Sequence, residues 1–465
     1  METSRKVIFC GIFCSKGVGR MIKIKNATYI ASLANSFVGL EVETHRINTD
    51  GGLSTHPYPS GLLDEKKHHF IKNDFLETQS ELITPPEENT HRGLTYLGAY
   101  HQALRSELTS SEYLWPYSMP PKLRSDHADI EIAQTDHDNY VYRQKVAQIR
   151  RIERTAETGV HVNIGLTPAA IHQIEVPPTQ DEIDSLYLQA AIGFMNYRWL
   201  LTYLFGATPF AFDNYFSKTA NMPAQAVRSL RNSHFGFGNG FLASYRSVSE
   251  YVTDIEDAVR DHEIIAEREY YGTVRLKRTP HLKDLLADGI LYIELRIYDL
   301  DPFEPMGISE DAVNIIRLMF AYFAGNQPFN LDESDHEISV AVKKNDTVAL
   351  ENPFTVTQFH DQAVSFIEKL SAFSQMISLP FNAEELCLRM LERIDNPLLT
   401  PSARLLTWSN NDAQQLFDKL LLMAKGYQND FLDHPLYGYE DRSLKEQKRM
   451  IQQLKMGKQL VLKNN

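Results

Sequence analysis

Three short stretches of the chain alternate apolar and polar residues with a period of two. In 38–45, Leu40 and Val42 fall on one side and Glu41, Glu43 and His45 on the other. In 159–166, Val160, Val162, Ile164 and Leu166 oppose His161 and Asn163. In 291–298, Leu291, Ile293, Leu295 and Ile297 oppose Tyr292, Glu294, Arg296 and Tyr298. Successive strand side chains point to opposite faces. Each stretch therefore predicts a strand with an apolar face for a helix layer and a second face bearing ionisable groups. Elsewhere the period lengthens, and helices are expected over 92–108, 181–205, 310–324, 359–378 and 411–426, with a Lys- and Gln-rich helix in 443–462. The 181–205 stretch carries Leu186, Ala190, Phe194, Tyr197, Leu201 and Leu204 at helical spacing and stops at Gly206, with Pro209 beyond. Strands and helices are interleaved without a fixed repeat, a low-complexity tract or a long linker, which predicts an α+β chain.

Composition narrows the class. The 465 residues are 43% hydrophobic, enough for a large core. The net charge of −13 argues against nucleic acid or an anionic membrane as a partner. No run approaches the roughly 18 apolar residues of a membrane span. Arg5 and Lys6 precede a short apolar run, 7–14, which faintly resembles a signal peptide but lacks a small-residue cleavage site. Met21 is an alternative start, with 1–20 as an upstream extension. Three cysteines, Cys10, Cys14 and Cys387, read as a reducing cytoplasm and not a disulfide scaffold. Cys10 and Cys14 have no second ligand pair nearby, so they are read as incidental.

A strand with polar groups facing water is the ordinary antiparallel case. Three strands enriched in Glu, His and Arg suggest a shared polar concavity instead. If Glu41, Glu43 and Glu294 converge there, their repulsion must be offset, and Mg²⁺ suits carboxylate oxygens and substrate phosphates. His161 would be a less usual Mg²⁺ ligand. In 74–85 the acids Asp74, Glu77 and Glu81 would share one face if the segment were helical, either as ligands or as a solvated face. Arg275, Lys277 and Arg278 read equally as phosphate contacts or as a strand edge kept charged. The chain has no GxxxxGK[ST] loop, HExxH, CxxC or GxSxG, and Gly17-Val18-Gly19 is too short for a dinucleotide fingerprint. Residue chemistry alone thus reaches a carboxylate-rich, Mg²⁺–nucleotide site on a mixed sheet, without a substrate.

Taken together, the motifs resemble one family. Gly39-Leu40-Glu41-Val42-Glu43-Thr44-His45-Arg46 resembles the Gly-Leu-Glu-x-Glu-x-x-Arg opening of bacterial glutamate–cysteine ligases, and Asp74-Phe75 through Thr84-Pro85 resembles their second, acidic motif. Trp115-Pro116-Tyr117-Ser118-Met119-Pro120, Gly159-Val160-His161, Phe205-Gly206-Ala207-Thr208-Pro209 and Ser229-Leu230-Arg231-Asn232-Ser233 follow in family order. So do Tyr292-Ile293-Glu294-Leu295-Arg296, Asp301-Pro302-Phe303 to Gly307, and Thr400-Pro401-Ser402-Ala403-Arg404. The resemblance implies a glutamine-synthetase-like fold, a curved and mostly antiparallel sheet forming a funnel walled by helices. It implies ATP-dependent joining of the L-glutamate γ-carboxylate to the L-cysteine amine through a γ-glutamyl phosphate, the first step of glutathione biosynthesis. It implies Mg²⁺, or Mn²⁺, held by Glu41, Glu43, Asp74, Glu81, His161 and Glu294. Arg296 would contact the transferring phosphoryl group and Arg231 a substrate carboxylate. Tyr142, Arg143 and Tyr271 match positions that contact amino acid and phosphate; Arg278 is assigned to the nucleotide.

Two departures stand out. Phe237 occupies a position that is usually Tyr, near the incoming amino acid. The 144–158 region is also unusual, with Arg150, Arg151 and Arg154. The expectation is one catalytic domain over 21–465, acting as a cytoplasmic monomer and stopping at the dipeptide, since no ATP-grasp domain follows. Two rivals are a same-fold ligase with another amine acceptor and a catalytically silent homologue that binds nucleotide or amino acid.

Overall fold

The computed structural model describes residues 33, 36–63, 67–134, 137–172, 178–217, 222–238 and 240–462. The 1–20 extension, with Cys10 and Cys14, lies outside the described residues. The seven strands are β1 (Phe37–Asn48), β2 (Ile71–Asn73), β3 (Gln79–Ile83), β4 (Glu112–Leu114), β5 (Val160–Gly165), β6 (Val274–Lys277) and β7 (Tyr292–Tyr298). They form one sheet in the order β2-β3-β1-β5-β7-β6, with β4 pairing the far end of β1. Every ladder is antiparallel. The expected α+β architecture with an antiparallel sheet is therefore present.

The three alternating stretches become its three central strands. Leu40, Val42, Val160, Val162, Ile164, Ile293 and Leu295 are all buried and join one core with the surrounding helices. Helix Gln180–Phe205 supplies much of that core, including Leu186, Ala190, Phe194 and Leu204. Its start is held by a capping box: the Thr179 hydroxyl accepts the Glu182 amide and the Glu182 carboxylate accepts the Thr179 amide. Helices Thr90–Arg105 and Glu310–Asn326 add to the same core. The other expected helices appear as Glu310–Asn326, His360–Ser374, Ala413–Asp433 and Leu444–Lys455.

Two readings are corrected. Residues 74–81 are not helical: they form the turn and second strand of the β2–β3 hairpin, closed by the Asp74 amide on the Gln79 carbonyl at 3.0 Å. Glu77 points away to accept the Tyr58 amide at 2.8 Å. Tyr298 does not share the polar face. Val162 pairs with Leu295 but Val160 pairs with Tyr298, so β7 carries one extra residue. This bulge reverses the phase, and Tyr298 enters the core edge-on to Phe205, its hydroxyl donating to the Ala312 carbonyl at 2.8 Å.

Candidate active site

The second face of the sheet gathers the ionisable residues. Register sets their neighbours: Glu43 lies opposite Glu81, Glu41 opposite His161, Asn163 opposite Glu294, and Arg275 opposite Glu294 on the other side. Adjacent strands place such side chains within about 5 Å, so five strands bring these groups together.

His161 is at the centre. It is 1% exposed, and its Nδ1 lies 3.0 Å from Glu41 Oε2. That carboxylate accepts the Nδ1 proton, which leaves Nε2 as the lone-pair atom. Nε2 is buried and has no hydrogen-bond partner; Glu43 Oε1 stands 3.6 Å away. Asn163 Nδ2 donates to the other Glu41 oxygen at 2.8 Å. Arg296 Nη1 is 3.4 Å from His161 Nδ1, but its true acceptor is Glu294 Oε1 at 2.9 Å. Burial and the Arg296 charge hold His161 below its usual range, so it is neutral.

Glu41, Glu81 and His161 each offer a ligand atom, and these atoms lie within 4.8 Å of one another. Burial pushes Glu81 up to about 8, with Lys72 opposing and Glu41 and Asp74 adding. Burial and Asp74 raise Glu43 well above the carboxylate range. Burial would raise Glu41 too, but its His161 hydrogen bond holds it low. A converging donor set with an orphaned imidazole nitrogen and carboxyl groups that resist ionising fits a divalent cation. Glu43 and Asp74 lie beside this group, and Glu294 is on its far side, 3.9 Å from His161 Nδ1.

At the other end, burial opposes ionisation of Glu294, yet Arg275, Arg296 and Lys277 hold it well below the usual range. Arg275 Nη1 and Lys277 Nζ stand 3.4 and 3.6 Å from its Oε2. The basic run is thus divided: two members reach Glu294, while Arg278 Nε donates to the Gly289 carbonyl at the sheet edge.

Arg231 enters from a loop. A Cβ on Gly159 would lie 2.1 Å from Arg231 Nη2, so the guanidinium takes this place against the start of β5 because residue 159 has no side chain. Its Nη1 donates to the Tyr298 carbonyl at 3.2 Å. The loop is anchored on buried Asp299, which accepts from the Ala207 amide, Thr208 Oγ1, Ser229 Oγ and Asn232 Nδ2 at 2.8–3.0 Å. The 205–209 and 229–233 motifs therefore position Arg231. Phe237 meets Tyr271 edge-on at 4.6 Å, and burial and Tyr271 raise the Tyr142 hydroxyl. Arg143 is drawn aside, with Nη1 on the Ala133 carbonyl at 3.2 Å and its charge 6.0 Å from the Phe75 ring.

The structure does not bring His45 to this site. It is buried between Thr78 Oγ1 and the Ala156 carbonyl at 3.0 and 2.7 Å, and burial lowers it to about 4. Two contributors lacked an assigned role in the sequence reading: Asn163, signalled by its spacing of two from His161, and Lys72, which meets Glu81 at 3.3 Å.

Fold and site together place a carboxylate cluster able to hold a metal ion, flanked by cationic side chains, on one face of an antiparallel sheet surrounded by helices. The family profile described as glutamate-cysteine ligase matches residues 21–265 and 261–346, and the chain belongs to that family. The glutathione biosynthesis bifunctional protein GshAB of Streptococcus mutans is 32% identical over 445 residues, covering 93% of this chain and 58% of its own. That of Enterococcus faecalis is 32% identical over 443 residues, covering 91% and 57%. The chain thus spans slightly over half the length of these curated relatives. Among solved structures, a bifunctional glutathione synthetase from Pasteurella multocida superposes with a TM-score of 0.84 at 27% identity, over 92% of this chain and 57% of that one. A glutamate–cysteine ligase from Francisella tularensis in complex with AMP shares the fold, with a TM-score of 0.77 at 22% identity over 92% and 96%. Among the described residues no helix is long and apolar enough to cross a membrane.

Proposed function

We propose that this chain joins the γ-carboxylate of L-glutamate to the amine of L-cysteine at the cost of ATP, in the cytoplasm, giving γ-glutamylcysteine as the first step of glutathione biosynthesis. The observation that carries the reading is the buried, unpartnered His161 Nε2 among Glu41, Glu43 and Glu81, beside the cationic Arg296 end of the same sheet. Glu41, Glu43, Asp74, Glu81, His161 and Glu294 would hold Mg²⁺ or Mn²⁺. The bound cation would neutralise phosphate charge and bring γ-phosphate and carboxylate together.

The chain's own groups act around that centre. Arg231, fixed by Asp299 through its loop, binds a substrate carboxylate and orients glutamate. The γ-carboxylate oxygen attacks the γ-phosphorus and ADP departs. Arg296, raised in basicity by Glu294 and Glu43 against the cost of its burial, donates to the phosphoryl oxygens as charge builds on them. The cysteine amine then attacks the acyl carbon, the C–O bond to phosphate breaks, and the amide forms. Phe237, Tyr142 and Tyr271 would surround the acceptor; Arg143, bonded to the Ala133 carbonyl, and Arg278, bonded to the Gly289 carbonyl, would have to turn to reach amino acid and nucleotide. Holding three substrates in one funnel removes the entropy of a three-body encounter.

One observation favours a second reading. The Phe237 ring presents no hydroxyl to the acceptor, so an amine other than cysteine is the alternative within the same chemistry. The test supplies ATP, Mg²⁺ and glutamate with cysteine or a panel of other amines, and reads products by mass spectrometry. A dominant γ-glutamylcysteine peak is expected. A different preferred product keeps the acyl-phosphate chemistry and changes the acceptor. No product from folded protein that binds ATP overturns the ligase reading.

A further inference from the structure

The arginine-rich segment between 144 and 158 has no part in the chemistry above, yet it lies against both walls of the acceptor pocket. On one side, Arg154 Nη1 donates to the carbonyls of Phe235 and Gly236, the second at 3.0 Å. The Glu157 carboxylate accepts the Phe237 amide and the Tyr215 hydroxyl. Arg151 Nη2 reaches the Tyr215 carbonyl at 3.3 Å. On the other side, Arg150 donates through Nε and Nη2 to Glu269 Oε1 at 3.1 and 2.9 Å. Glu269 is fully buried and stands two residues before Tyr271. The walls meet where Phe237 lies against Tyr271, ring centroids 4.6 Å apart.

Neither wall belongs to a regular element at this point: residues 231–238 and 270–273 are turn and coil. The first is already tight, since a Cβ on Gly236 would lie 2.1 Å from the Arg231 carbonyl. Turns without ladder hydrogen bonds take their positions from whatever side chains grip their backbone. Asp346 and Asn345 hold the start of the first turn, at the His234 amide and the Asn232 carbonyl, and the 144–158 segment supplies charge-assisted, part-buried bonds to 235–236 and to Glu269. Glu157, which burial and its neighbours place at about 7, also faces the guanidinium groups of Arg231 and Arg154.

We propose that Arg150, Arg154 and Glu157 are positioning residues that set the width of the acceptor amino-acid pocket, Arg154 and Glu157 by holding the Phe237 wall and Arg150 by holding the Tyr271 wall. The inference rests on the ligase reading and deepens it: these side chains touch no substrate, and the selectivity they confer acts through the two aromatic rings.

The test measures steady-state kinetics of wild type, Arg154→Met, Arg154→Lys, Glu157→Gln and Arg150→Gln with cysteine and with 2-aminobutyrate, at saturating glutamate and ATP. In Arg154→Met and Arg150→Gln the KM for cysteine is expected to rise about five-fold or more, with the KM for ATP within about two-fold, as for lost acceptor positioning. The preference for cysteine over 2-aminobutyrate should shrink in the same variants. Arg154→Lys should recover part of the effect, since an ammonium still reaches one carbonyl. Glu157→Gln keeps an acceptor oxygen for the Phe237 amide and should be the mildest. Should Arg154→Met fail to fold by circular dichroism, Arg150→Gln at the opposite wall gives the same readout. Folded variants whose KM values for cysteine and ATP move together, or whose amine preference is unchanged, overturn the proposal. Wild-type product formation is measured first, and its absence overturns the ligase reading and this inference with it.

Discussion

The two ends of the sheet's charged floor hold the same residue type in opposite states. Glu43 and Glu81, toward the β2–β3 hairpin, are raised by burial, and neighbouring carboxylates add to that effect. Glu294, toward β6, is just as buried but is held well below the carboxylate range by Arg275, Arg296 and Lys277. Burial is common to both ends; the charge of the neighbours decides the sign. At the hairpin end Lys72 meets Glu81, and Arg296 and Arg231 only partly offset the burial of Glu43, so positive charge there falls short of the carboxylates. The β6 end has three cations around one carboxylate, so it has positive charge to spare. On the proposed function, the hairpin end would receive the metal ion and the β6 end the phosphoryl oxygens, with the γ-phosphate between them.

Removing charge at the hairpin end should have the largest effect. Glu43→Gln and Glu81→Gln are each expected to lower kcat about 10²-fold or more, because charge stabilisation of a transferring phosphoryl group is lost with the metal. Isothermal titration with Mg²⁺ or Mn²⁺ should show weakened binding in both variants. Retained ATP turnover with unchanged metal binding in Glu81→Gln would remove it from the ligand set and break the contrast between the two ends.

Changes at the β6 end should split differently. Arg296→Met is expected to lower kcat about 10²-fold with little change in the KM for glutamate, the pattern of a contact made in the transition state. Metal binding at the hairpin end should survive, since Arg296 neutralises Glu294 and not Glu81. Loss of metal binding in Arg296→Met would mean that the ends are one electrostatic unit. Arg275→Gln should cost less, about ten-fold in kcat/KM for ATP, because Lys277 remains at 3.6 Å from Glu294. An unchanged kcat/KM would return Arg275 to the role of a charged strand edge.

The alternation in the three central strands carried most of what the sequence could disclose about this floor. Period two is a local property, so Leu40 and Val42 could be separated from Glu41 and Glu43 without knowing the partners of β1. What depended on partners was not legible. The bulge in β7 arises from pairing with β5, and it moved Tyr298 to the other face. Asp74, Glu77 and Glu81 fit a helical spacing as well as any, and pairing of Glu81 opposite Glu43 decided for a strand. His45 has the phase of Glu41 and Glu43, yet the end of β1 is covered by Thr78 and Ala156 and the imidazole is enclosed. Helices His137–Ile149, Val248–Arg260, Ser334–Ala349 and Ala383–Asp395 went unread, although the last carries Leu386, Met390 and Ile394 at helical spacing. The roles assigned to Arg231, Phe237 and Tyr271 came from family resemblance, since loops carry no periodicity to read.

The smallest effect is one of stability, and it sharpens the comparison without any substrate. In metal-free protein Glu81 titrates near 8 in the folded state against 4.5 for the ordinary group. Between those values the folded chain keeps a proton that the unfolded chain releases, so stability falls as pH rises through the window. A melting temperature measured in chelator should therefore decline from pH 5 to pH 8 by a few degrees, since each pH unit across the window costs up to about 1.4 kcal/mol and a chain of this size loses about 1 °C per kcal/mol. Glu81→Gln should flatten the decline, because the amide has no proton to lose. Saturating Mg²⁺ should flatten it too, because a bound cation replaces the proton and stabilises the folded state by mass action. Glu294→Gln should not flatten it, since a carboxylate already held low by three cations has no proton to lose in that range. Glu43, raised by the same burial, would carry what remains in Glu81→Gln; a decline undiminished in Glu81→Gln, or one that vanishes in Glu294→Gln, would reverse the assignment of the two ends.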